Sequence, residues 1–87
     1  MKKTALQVLE DYFQKAFEDG KNVYVEITLP QFTESEFIIN KNKSILEKLN
    51  YYKENFTDEL INKTNSEVEI IAFGTINPAN MPKGLEI

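Results

Sequence analysis

The chain has 87 residues, a net charge of −4, and neither cysteine, histidine nor tryptophan. That length predicts one domain, and the missing residue types exclude a disulfide framework, a zinc knuckle, an iron–sulfur site and an imidazole base or metal ligand. Every basic residue is a lysine, so no guanidinium is available to fork onto phosphate, guanine or carboxylate, and the acidic balance argues against sequence-independent nucleic-acid binding.

Thr4 and Gln7 have the spacing of a capping box, and Leu6, Leu9, Phe13, Ala16 and Phe17 recur at three and four residues. This predicts a helix over 5–19, with Gly20 as a left-handed terminus. From Asn22 to Leu29 the period changes to two. Val23, Val25, Ile27 and Leu29 point one way and Tyr24, Glu26 and Thr28 the other, as in a half-buried strand, and Pro30 ends it. Phe37, Ile38 and Ile39 mark a second strand over 36–40. The loop between the two has no Asn-Gly signal to set the hairpin register.

Ser44 and Glu47 repeat the capping-box spacing, and Ile45, Leu49, Tyr52, Phe56 and Leu60 form an apolar stripe. A second, longer helix is therefore expected, running to Asn62 or Lys63. A third strand is expected over 67–75, with Val68, Ile70 and Ala72 on one face and Glu67, Glu69, Ile71 and Phe73 on the other. Residues 76–87 contain Pro78, Pro82 and Gly84 and show no periodicity, so they read as an irregular tail on a single domain spanning 1–75.

The element order α-β-β-α-β predicts an α+β, two-layer fold: a three-stranded antiparallel sheet of order 2-1-3 with two helices on one face. Tyr24, Glu26, Glu67, Glu69, Ile71 and Phe73 would then share the other face, where acids beside exposed aromatics resemble a protein-contact patch. Tyr51 falls off its helix's apolar stripe and joins the candidate partner-binding residues. Strand three, as an edge with only Glu67 and Glu69 as guards, invites a homodimer through that edge or through the Ile71–Phe73 face.

Chemistry has little to build on. Glu26 with Glu67 or Glu69 is the one carboxylate pairing the strands suggest, and it reads as a solvated face rather than an acid–base pair or cation site. The three glycines are isolated, which leaves no phosphate-cradling loop. The expectation is a protein without enzymatic activity and without a cofactor or metal. The start, Met1-Lys2-Lys3-Thr4, meets Gln7, Glu10 and Asp11 with no apolar run, and no window is long enough to span a membrane. A cytoplasmic location follows as the expectation.

The stretch Asn40 to Phe73 carries the pattern L-x-Y-Y-K-x-x-F-x-x-x-L in Leu49, Tyr51, Tyr52, Lys53, Phe56 and Leu60, then a strand ending in an aromatic, Phe73. It resembles short, uncharacterised proteins encoded by phages and prophages of low-GC Gram-positive bacteria, over about half the chain. The resemblance implies a setting, the cytoplasm of the bacterial host, and no activity or site. The expected function is an interaction protein that binds and inhibits a host or anti-phage defence protein, its acids either mimicking nucleic acid or serving solubility. The alternatives are a homo-oligomer that binds a signalling nucleotide and a virion assembly component.

Overall fold

The structure, a computed structural model, describes residues 2–29 and 35–77. Helix α1 (Ala5–Asp19) leads to strand β1 (Asn22–Thr28), strand β2 (Ser35–Asn40), a single 3-10 turn (Asn42–Ser44), helix α2 (Ile45–Asn55) and strand β3 (Ile70–Ile76). The sheet is antiparallel throughout, in the order β2-β1-β3, as the sequence predicts. Both helices belong to the α+β layer that buries Val23, Val25 and Ile27 of the central strand. The loop before Ser35 and the tail beyond Asn77 lie outside the described residues.

The first helix is settled locally. The Thr4 hydroxyl accepts from the Gln7 N–H at 3.1 Å, and the Gln7 side chain accepts from the Thr4 N–H at 2.9 Å. Gly20 closes the helix at φ 69°, where a Cβ would be strained. Leu9, Phe13 and Ala16 are its buried face.

The second helix departs from expectation at both ends. The Ser44 side chain makes no cap hydrogen bond, because the 3-10 turn brings the chain in at a different angle. Asn42 works there instead: its side-chain amide donates to the Ala16 and Lys21 carbonyls, both at 2.9 Å, and its N–H donates to Asn22 Oδ1 at 2.9 Å. This ties the end of α1 to the start of α2.

The helix also stops at Asn55 rather than Asn62 or Lys63. Phe56 is extended, and Leu60 takes a left-handed backbone at φ 65°. That conformation costs a non-glycine residue about 1–2 kcal/mol. The reason lies in the sheet. Asn62 N–H donates to Val68 at 2.8 Å and Ile70 N–H to Leu60 at 2.9 Å, so the segment after the helix forms an arm along the start of β3. Phe56 and Leu60 still reach the core by this other path.

β3 corrects the expected faces. It begins at Ile70 and ends at Ile76, and its register with β1 shifts between Glu26 and Ile27. Val25 faces Phe73 and Ile27 faces Ile70, so both residues of β3 turn to the helices although they are three apart. Ala72 and Gly74 lie on the outer face, opposite Glu26 and Tyr24. Ile71 is the extra residue, 51% exposed.

Beneath the end of β2 lies a buried polar tie. Tyr52 donates its hydroxyl to Asn40 Oδ1 at 3.2 Å, and Asn40 donates to the Val23 carbonyl at 3.2 Å. Burial pushes the Tyr52 phenol up to about 12, against the opposing pull of its bond to Asn40.

Candidate functional site

The seven candidate contact residues do not form one patch. Tyr24 and Glu26 stand on the outer sheet face, on alternate positions of β1. Phe73 is turned to the other side, where its ring meets Tyr12 of α1 edge-on at 5.2 Å and packs against the core. Tyr51 is 52% exposed but belongs to α2, in the helical layer, with its ring edge-on to Tyr52 at 5.4 Å.

Glu67 and Glu69 are exposed and flank the start of β3. Their main chain is bound to Thr28: the Thr28 N–H and hydroxyl both donate at 2.9 Å, to the Glu69 and Glu67 carbonyls, and the Glu69 N–H donates back to Thr28 Oγ1 at 2.9 Å. The register sets Phe37 and Ala72 directly across from Glu26, so no glutamate opposes it. Its carboxylate accepts the Ser35 hydroxyl. Among the described residues no group of acids could hold a metal ion.

Phe37 is absent from the patch that the sequence predicts. It is 42% exposed and its ring lies 5.6 Å from that of Tyr24, on the same face. The alternation Phe37–Ile39 in the sequence put these two on one side of β2, but only the hairpin register shows that it is the side of Tyr24. The Tyr24 ring extends the other way over Gly74, where a Cβ would approach its Cε2 to 2.8 Å. The candidate surface is therefore an aromatic pair, Tyr24 and Phe37, with Glu26 beside it and Ile71 exposed at the bulge.

The helical layer has its own exposed apolar side chains, Tyr12, Phe17 and Leu46. The helices run antiparallel, since Glu10 pairs with Lys53 at 3.1 Å while Ala16 meets Asn42. An open recess of about 310 Å³, lined by Asp11, Tyr12, Lys15 and Thr75, lies between α1 and β3. Its charged groups are engaged in exposed ion pairs, Asp11 with Lys3 and Lys15 with Asp19, rather than converging on a ligand position. Among the described residues no helix is long and apolar enough to cross a membrane. Neither the protein-family models, the curated proteins nor the solved structures contain a match to this chain.

Proposed function

We propose that this is a non-enzymatic interaction protein of the small phage or prophage type, acting in the cytoplasm of a bacterial host, where it binds and inhibits a host or defence protein. The observation that supports this reading is the Tyr24–Phe37 pair on the sheet face turned away from both helices. Aromatic side chains bury much area at little entropic cost and are enriched where proteins meet. Glu26 and the chain's net charge of −4 favour a partner whose surface is basic around an apolar centre.

Homodimerisation is the second part of the proposal. The start of β3 is occupied by the arm around Ile61, which bridges to Glu69. Phe73 faces the core, so the dimer would form instead along β2, whose only charge is Glu36.

The test is affinity capture from a low-GC Gram-positive lysate with the wild-type chain and the Phe37→Ser and Glu26→Lys variants, each shown to be folded. One host protein retained in stoichiometric amount by the wild type and lost by both variants is the expected result. Equal retention by all three, or recovery of the bait alone, overturns the surface. Native mass spectrometry reads the dimer directly.

A further inference from the structure

β3 is an edge strand, and β1 fixes which of its main-chain groups face outward. The Thr28 N–H donates toward β3, to the Glu69 carbonyl at 2.9 Å, while the Val23 carbonyl faces β2, where it accepts from Asn40 at 3.2 Å. Main-chain groups alternate sides along a strand. Tyr24 and Glu26 therefore exchange hydrogen bonds with Gly74 and Ala72, and the N–H and C=O of Phe73 and Thr75 point away from β1, off the edge. Ile70 obeys the same rule, since its outward N–H donates to Leu60.

The arm satisfies these outward groups only as far as Ile70. Leu60, at φ 65°, and the bond from the Thr57 N–H to the Ile61 carbonyl at 2.8 Å turn it back before it reaches Phe73. Among the described residues no strand lies beyond Phe73 and Thr75, and Thr75 is exposed. Open edges are ordinarily guarded by a charge or a proline, yet Ile70–Ile76 has neither. Beside this stretch is the recess of about 310 Å³ between α1 and β3, lined by Tyr12 and Thr75. Thr75 lies opposite Val23 and shares its face, toward the helices. Side chains of an added strand that point the same way would enter the recess.

We propose that the Phe73–Thr75 edge binds an extended segment of a partner protein, added antiparallel to β3 in the line of the arm. Its main chain pairs with the outward groups of Phe73 and Thr75, and aliphatic side chains at alternate positions enter the recess against Tyr12. The occupant is a strand because the same edge already holds one, the arm, by bonds of the same kind. It is uncharged where it enters because Asp11 and Lys15 are already paired with Lys3 and Asp19. This surface is separate from the Tyr24–Phe37 pair and does not depend on it.

The probe is a phage-displayed library of random heptapeptides selected on the immobilised full-length protein, followed by synthesis of the enriched peptide. Enriched sequences are expected to carry aliphatic residues two apart. The synthetic peptide should protect the Phe73 and Thr75 amides from hydrogen exchange and leave that of Phe37 unchanged. Thr75→Pro removes an outward N–H that the β1–β3 ladder does not use, so the variant should fold, with the Val23 and Val25 amides protected as before. It should weaken the peptide about tenfold. No enrichment, or protection that falls on Phe37 and so places the peptide on β2, overturns the proposal. A free protein that is dimeric by native mass spectrometry and becomes monomeric with Thr75→Pro also overturns it, because a second copy is then the occupant. Should Thr75→Pro fail to fold, exchange at the wild-type Phe73 and Thr75 amides decides by itself.

Discussion

On one flank of β1 the pairing with β2 runs unbroken from Val23 opposite Asn40 to Thr28 opposite Ser35, while on the other the pairing with β3 slips by one residue beside Glu26. The two flanks are also anchored differently. β2 is tied below by polar groups, Asn40 to Tyr52 and to Val23. β3 is held by apolar contact, Phe73 on Tyr12 and Ile70 in the core, and by the arm through Leu60 and Asn62.

The difference shows what a single inserted residue can do. With an unbroken period of two, either Ile70 or Phe73 would face water. Burying a phenylalanine is worth about 2 kcal/mol, whereas an unpaired residue forfeits about 1 kcal/mol of ladder hydrogen bonding. The slip wins, and Ile71 is left outside.

The sharpest contrast between the flanks is expected from their phenylalanines. Phe73→Ala should lower unfolding free energy by about 2–3 kcal/mol, less than a fully buried phenylalanine would because Phe73 is only partly buried. Phe37→Ala should change it by no more than about 0.5 kcal/mol. Urea denaturation of both variants reads this, and equal losses would remove the assignment of Phe73 to the inner face.

The polar anchor of β2 should show in the pH dependence of stability. A Tyr52 phenol raised to about 12 in the fold binds its proton more tightly than in the unfolded chain, where it titrates near its ordinary value of 10.0. The folded state therefore holds more protons between those values, and its stability falls as pH rises through that window, by about 2 kcal/mol in total. Below pH 10 the contribution is constant. Tyr52→Phe should cost about 1–2 kcal/mol at neutral pH by orphaning Asn40, and should flatten the alkaline decline. Thermal melts of the two proteins across the alkaline range check both.

Gly74→Ala tests the outer face of the bulged flank. The new Cβ meets the Tyr24 ring at 2.8 Å, so a loss of about 1–2 kcal/mol is expected. The loss should shrink when Tyr24 is also made Ala, and additivity in that double-mutant cycle would show that the ring does not lie over Gly74.

Deleting Ile71 is expected to be milder than Phe73→Ala. The ladder closes up with Phe73 still opposite Val25 and Ile70 still opposite Ile27. Because the closed ladder regains the hydrogen bonding that the bulge forfeits, a rise of up to about 1 kcal/mol, or roughly 4–8 °C in Tm, is the expected outcome. Complete unfolding would mean that the bulge is required by the twist of β3 rather than by the phase of its side chains.

Several features were legible because their signals lie within a few residues of one another. The Thr4–Gln7 box, the stop at Gly20 and the alternation of β1 are of this kind, and they sufficed for the α+β order and the 2-1-3 sheet. Tyr24 and Glu26 followed from the same alternation and do lie on the outer face. Phe37 did not, because its placement beside Tyr24 needs a hairpin register that no turn motif announces.

The amino-acid sequence by itself determined the small acidic domain without thiol or imidazole chemistry, the first helix with both its ends, and the central strand with its faces. Only the tertiary structure decided where α2 ends, which asparagine joins the two helices, and which way β3 turns. A helix cap or a strand's alternation is settled between near neighbours. The end of α2 was settled by competition with an open strand edge, and the faces of β3 by the volume of Ile70 and Phe73 against a distant helix. The arm after α2 pairs with a strand that is in place only once β3 has joined β1, and β3 takes its faces from β1 and Tyr12, tens of residues away, so the winner is visible only when both partners are in place.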